Sequence, residues 1–146
     1  FSPSERHEIV MGAGYRMIDT RMATTSYYTN IPPSPVDDIF SAFIQDKIAI
    51  VPKEFFLTLG SKFEHNDYTG FEVQPSARIT WLPAENQTVW ASVSRAVRTP
   101  NIFTEGGRLV LAPNTAALPP GFAVSEPNRN LKSEEVIAYE LGYRIQ

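Results

Sequence analysis

Between Glu54 and Pro100, apolar and polar residues alternate with a period of two through three successive segments. Phe55, Leu57, Leu59 and Phe63 take the odd positions of the first, against Thr58, Lys62 and Glu64. After Asn66-Asp67-Tyr68-Thr69-Gly70, which has the composition of a turn, Phe71, Val73, Ala77, Ile79 and Trp81 alternate with Glu72, Gln74, Ser76, Arg78 and Thr80. Past residues 83–87, Val89, Ala91, Val93 and Val97 stand against Ser92, Ser94 and Arg98. Such a period puts alternate side chains on opposite faces of a strand, so the three segments read as antiparallel hairpins with one apolar and one polar face. Keeping the faces consistent allows a register with Leu59 opposite Ile79, which sets Leu57 by Trp81, Phe63 by Pro75, Lys62 by Ser76 and Glu64 by Gln74. In the second hairpin Trp81 falls opposite Val89, Ile79 by Ala91 and Arg78 by Ser92. A slip of one residue would turn every side chain to the wrong face.

The same period recurs on either side. From His7 to Met17, Ile9, Met11, Ala13, Tyr15 and Met17 share one face, and Gly12, Gly14 and Arg16 lie on the other with Val10. From Phe40 to Val51, Ile44, Ile48 and Ile50 oppose Gln45 and Lys47. There Asp46 falls on the apolar face and Phe43 on the polar one, so the segment carries a bulge or an imperfect pattern. From Glu134 to Ile145, Tyr139, Leu141, Tyr143 and Ile145 oppose Ala138, Glu140, Gly142 and Arg144. The sequence predicts an all-β chain: an antiparallel up-and-down meander of about six long strands over residues 7–18, 39–51, 54–66, 70–82, 88–99 and 134–146, with no long helix. Residues 19–38 and 100–133 lose the period, are broken by prolines and read as long loops.

Alternation alone leaves open which face is wet: the apolar face is a core in a soluble sandwich and meets lipid in a transmembrane barrel. Strands of about ten to thirteen residues exceed the globular mode of about five or six and match the roughly nine to eleven of a membrane-spanning strand. Loop lengths also alternate, with the short turns at Pro52-Lys53 and 83–87 on one end of the sheet and the long segments on the other. Bacterial outer-membrane barrels pair short periplasmic turns with long extracellular loops. Both features favour part of a transmembrane β-barrel.

Several phrases occur in a fixed order. They are Phe43-Ile44-Gln45-Asp46-Lys47, Phe56-Leu57-Thr58-Leu59-Gly60-Ser61-Lys62-Phe63-Glu64, Gln74-Pro75-Ser76-Ala77-Arg78-Ile79-Thr80-Trp81 and residues 89–100 from Val89-Trp90-Ala91 to Arg98-Thr99-Pro100. Asn130-Leu131-Lys132-Ser133-Glu134-Glu135 and Tyr139-Glu140-Leu141-Gly142-Tyr143-Arg144 follow. The succession, from about Phe40 to the C-terminus, resembles the central barrel strands of TonB-dependent outer-membrane receptors. That resemblance implies a segment of a receptor for energy-coupled uptake of a scarce ligand, a ferric siderophore or similar iron complex, in the outer membrane of a Gram-negative-type bacterium. It further implies outer-membrane lipid around the wall, a plug domain inside it, and TonB acting indirectly through the plug. This chain holds neither a plug nor a TonB-contacting segment. The alternative is a soluble β-sandwich or lipocalin-like small-molecule-binding domain.

Composition narrows the chemistry. The 146 residues contain no cysteine, so there is no disulfide framework or thiolate metal site, and a net charge of -3 with mixed signs offers no basic field for nucleic acid. No run approaches the ~20 apolar residues of a membrane helix. Phe1 opens the chain without a signal peptide, so the start of a precursor is expected to lie before it. No catalytic constellation is present, and an enzyme is not expected. His7 and His65 lack companion ligands at metal spacing, and Asp37-Asp38 lacks the glycine-containing loop of a calcium site, so neither a metal nor a cofactor is expected.

Trp81, Phe55 and Tyr15 or Tyr143 are candidate girdle aromatics, and Trp90, on the polar face by parity, is not. Lys62, Glu64, Arg78, Arg98, Glu140 and Arg144 fall on the inward face, where the resemblance implies contact with the plug. Tyr27, Tyr28 and Phe103, in the two long loops, are the candidates for ligand contact, because aromatic rings give large contact area at small entropic cost. Six strands cannot close the 22-stranded barrel of such transporters. The isolated segment is therefore expected to self-associate.

Overall fold

The computed structural model describes residues 4–21, 23, 28–30, 36–101, 107–111, 123–126, 128 and 130–146. Among them are nine strands and no helix: β1 His7–Asp19, β2 Tyr28–Asn30, β3 Val36–Val51, β4 Phe55–Asn66, β5 Gly70–Ala84, β6 Gln87–Arg98, β7 Gly107–Leu111, β8 Ala123–Ser125 and β9 Glu134–Ile145. Six long strands form one antiparallel sheet in the order β1-β3-β4-β5-β6-β9. That is the expected meander. The largest boundary difference is the start of β3, at Val36 rather than residue 39.

The two long segments are not wholly irregular. β2, from the first, pairs with β7 from the second, and β7 pairs with β8, giving a separate three-stranded sheet. No local pattern announces it, since strands of three to five residues are too short to show a period.

In the β5–β6 hairpin the observed pairs are the expected ones: Trp81 with Val89, Ile79 with Ala91 and Arg78 with Ser92. The β4–β5 register differs by two residues, which preserves both faces. Leu57, not Leu59, lies opposite Ile79, Phe55 meets Trp81, Phe63 meets Val73, Lys62 meets Gln74 and Glu64 meets Glu72. The cause is the turn. Asn66, 1% exposed, accepts through Oδ1 from the Tyr68 N–H (3.0 Å), the Thr69 N–H (2.8 Å) and the Thr69 hydroxyl (3.2 Å), folding the chain within three residues. Gly70 follows with φ 76°, the left-handed conformation that closes a three-residue hairpin loop. The turn is thus tighter than the five-residue span that the composition suggested.

β3 carries its bulge at Ile50, where pairing to β4 jumps from Ala49↔Phe56 to Val51↔Phe55. The bulge lies beyond Asp46 and Phe43, so both keep the faces that parity gives them. Asp46 Oδ2 accepts from His7 Nδ1 at 2.7 Å across the β1–β3 pair. Phe43 lies directly opposite Gly12, and a Cβ at Gly12 would fall 2.5 Å from its ring. Trp90 and Gly142 repeat the arrangement on the β6–β9 pair, where a Cβ would come within 2.0 Å of the indole. Phe43 and Trp90, bulky rings on the polar face, thus each lie over a cross-strand glycine. Gly142→Val should displace the indole and cost about 1–3 kcal/mol. Urea unfolding followed by tryptophan fluorescence measures it.

The sheet is a single layer. Among the described residues no hydrophobic side chain is buried, while Leu141 is 82% and Tyr139 79% exposed. The chain presents 10557 Å² of surface, against about 7,500 Å² for a compact globular chain of this size. A soluble β-sandwich or lipocalin-like domain would enclose an apolar core between its walls. This sheet encloses none.

Candidate functional site

The register divides the side chains of the six strands into two surfaces. On one, Ile9, Ile44, Leu57, Leu59, Ala77, Ile79, Ala91, Val93 and Leu141 form an aliphatic field, with Tyr139 beside Val93 within it. Aromatic residues border it at both ends. Near the long segments stand Tyr15 and Phe40, with ring centroids 4.8 Å apart, and Phe63 and Phe71, 6.3 Å apart. Near the short turns stand Phe55, Trp81 and Tyr143, with the Trp81 indole N–H 3.5 Å from Glu54 Oε1. At about 3.3 Å per residue and a tilt of roughly 40°, the ten steps from Phe55 to His65 rise about 25 Å, the height of an apolar membrane band. Tyr15 therefore stands in one aromatic border, and Phe55, Trp81 and Tyr143 in the other. His65, between Phe40 and Phe71, stands in the first.

The opposite surface is polar. Lys62, Glu64, Arg78, Arg98, Glu140 and Arg144 all lie on it, opposite Gln74, Glu72, Ser92, Glu134, Ser92 and Thr88 respectively. Lys62 pairs with Glu64 at 2.6 Å, Arg98 with Glu134 at 3.4 Å, and Ser92 donates to Glu140 at 2.9 Å. Gln45, Thr58, Arg78, Ser92 and Glu140 border a shallow hollow of about 370 Å³ midway along the sheet. Lys47 sits 4.7 Å over the Phe56 ring nearer the short turns. A surface built this way offers hydrogen bonds and charges of both signs to whatever packs against it.

The end with the long segments is a rim of carboxylates and hydroxyls. Asp37, 7% exposed, accepts from the Tyr68 hydroxyl. The Asp38 N–H donates to Asp67 at 2.6 Å, and Tyr15 donates to Asp38 at 2.7 Å. Arg95 reaches Glu135 at 2.7 Å, and Ser133 donates to Glu72. The second sheet stands beyond this rim, with an Arg108–Glu126 ion pair at 3.1 Å. Among the described residues no three His, Asp or Glu groups gather as a metal site. Of the three aromatic candidates for ligand contact, Tyr28 opens β2, and Tyr27 and Phe103 lie outside the described residues.

Sequence reading passed over Arg95, Ser133 and Tyr68. Arg95 had a signal: it is the one charged residue in the apolar succession Val89, Ala91, Val93, Arg95, Val97. The Tyr68–Asp37 and Ser133–Glu72 bonds join residues 31 and 61 apart in the chain, which no local pattern reveals.

A single-layered sheet with girdled aliphatic and polar faces, short turns at one end and a loop sheet at the other is a section of a transmembrane β-barrel wall. Comparison with known proteins agrees. Residues 2–146 match the family described as TonB dependent receptor-like, beta-barrel, and the chain belongs to that family. It is 34% identical over 65 residues to the ferric enterobactin receptor of Pseudomonas aeruginosa, a match covering 44% of this chain and 9% of that protein. Its fold follows the crystal structure of a ferric enterobactin receptor with a TM-score of 0.75 at 23% identity, covering 95% of this chain and 22% of the other. The siderophore receptor PirA from Pseudomonas aeruginosa gives a TM-score of 0.74 at 21% identity over 96% of this chain and 26% of the other. The chain thus spans about a quarter of the solved receptors that it resembles. Members of the family are outer-membrane β-barrel proteins of Gram-negative bacteria, and these relatives are receptors rather than enzymes.

Proposed function

We propose that this chain forms part of the wall and outer rim of a TonB-dependent receptor that takes up a ferric siderophore or similar iron complex across the outer membrane. The observation that carries the reading is the division of one sheet into a girdled aliphatic face and a charged inner face, in a chain whose curated relative is a ferric enterobactin receptor. In that reading the aliphatic face meets outer-membrane lipid, and Lys62, Glu64, Arg78, Arg98, Glu140 and Arg144 face the plug domain of the full-length receptor. TonB then acts on the barrel indirectly, through the plug. The two long segments, 19–38 and 100–133, lie outside the cell, and Tyr27, Tyr28 and Phe103 contact the ligand. The second sheet supports this role, since the pairing of β2 with β7 joins residues 28–30 of the first segment to residues 107–109 of the second.

The test is growth of an iron-starved strain that depends on the full-length receptor, supplied with a panel of ferric siderophores. Growth on one or a few of them, lost on deletion of residues 100–133, is the expected result. Growth on none, with the receptor present in the outer membrane, refutes the uptake reading. Cysteines placed at Asn101 and Arg108 should react with an impermeant maleimide added to intact cells. Labelling only from the periplasm would invert the topology.

A further inference from the structure

One seam of the sheet loses its backbone ladder at the outer end. β4 and β5 stay paired up to Asn66↔Gly70, and β6 and β9 up to Arg98↔Glu134, yet β5 and β6 part beyond Ser76↔Ser94. Pro75 stands at the point of parting. Peptide groups along a strand turn alternately to its two neighbours, and the Val73 carbonyl is turned toward β6, since it accepts from the Arg95 guanidinium. Pro75, two residues on, faces the same way and has no N–H to donate. The ladder ends there for a covalent reason.

Side chains take its place. Arg95 donates to the Val73 carbonyl and to Glu135 at 2.7 Å, and lies 3.7 Å from Glu72, so one guanidinium joins β5 to β6 and β9. Ser133, the residue before β9, donates to Glu72 and lies 3.2 Å from the Thr69 hydroxyl, tying the entry of β9 to the β4–β5 turn. A space of about 630 Å³ bordered by Tyr68, Thr69, Glu72, Asn130, Lys132 and Ser133 remains beside them. We propose that Arg95 and Ser133 form a releasable clasp over an unladdered seam, so that breaking the clasp lets the outer ends of β5 and β6 separate. The clasp depends on ion pairs that are partly exposed, and these weaken with salt and with small displacements far more readily than a ladder of peptide hydrogen bonds does. Because Ser133 holds Glu72, movement of residues 131–133 is passed directly to β5. The proposal rests on the barrel fold and not on the identity of any ligand.

Nitroxide labels at Gln74 and Ala96 of the full-length receptor in vesicles report the seam, and labels at Ser76 and Ser94 report the intact ladder below it. This segment has no cysteine to compete for label. In the native protein both pairs should give narrow distance distributions. Arg95→Ala, or salt at about 1 M, where the screening length falls to about 3 Å, should shift the 74–96 pair to longer and broader distances and leave 76–94 unchanged. Pro75→Val restores the missing N–H and should return the 74–96 pair of Arg95→Ala to a narrow distribution. An unchanged 74–96 distribution in Arg95→Ala, or equal broadening of both pairs, overturns the proposal.

Discussion

Leu59→Arg in the full-length receptor should lower the stability of the folded barrel in phospholipid vesicles by about 2–4 kcal/mol, the cost of a cation on the lipid face near the bilayer midplane. Leu59 lies four residues above Phe55 on the aliphatic face, which at about 3.3 Å per residue and a tilt of roughly 40° puts it about 10 Å inside the girdle. The same charge at Phe71, in the outer girdle, should cost about 0–1 kcal/mol, because the arginine reaches the headgroups there. On the polar face Ser94→Arg should change stability by less than about 1 kcal/mol, since the side chain enters a hydrated surface beside Glu140. Urea unfolding in vesicles, followed by tryptophan fluorescence, gives all three values. Equal costs at Leu59 and Phe71 would show that depth in a bilayer does not govern this face, and the barrel assignment would fall.

How much of this was legible beforehand follows from where each instruction sits in the chain. The faces of the six long strands were written locally, because a period of two sustained over twelve or more residues admits one reading. Asp46 and Phe43 broke the period, yet each kept its place through a partner on β1, His7 for the carboxylate and Gly12 for the ring. Those partners are more than thirty residues away. Register was less secure than face: moving Leu59 from Ile79 to Ala77 keeps every side chain on its surface, and only the three hydrogen bonds that Asn66 accepts in the turn decide between them. The rim was the least visible part. Pro75 and Arg95 could each be seen as exceptions in a pattern, but their joint meaning needed the neighbouring strand. The short strands β2, β7 and β8 draw their order from pairing with one another, and a three-residue segment carries no period to read.

A segment covering residues 1–146 alone, placed in detergent-free buffer, should not remain a monomer. Its sheet ends at β1 and β9, whose outer edges carry rows of unpaired peptide groups that invite another chain. The aliphatic face adds a second drive, with Met11 63%, Met17 61%, Ile137 59%, Tyr139 79% and Leu141 82% exposed. Burying such side chains contributes about 1.5–3 kcal/mol each, while soluble monomers rarely leave more than a few hundred Å² of contiguous apolar surface open. Six strands cannot curl to close on themselves as the roughly 22 strands of large outer-membrane transporters do, so the segment has no internal way to satisfy either requirement. Static light scattering should report a mass several times that of one chain, and added detergent should reduce the mass by covering the aliphatic face. The charge substitution Leu59→Arg should weaken association in buffer as it weakens folding in lipid, because both depend on covering the same aliphatic face. A stable monomer in buffer with Leu57, Leu59, Ile79 and Val93 still exposed would contradict both the association and the lipid-facing assignment of that surface.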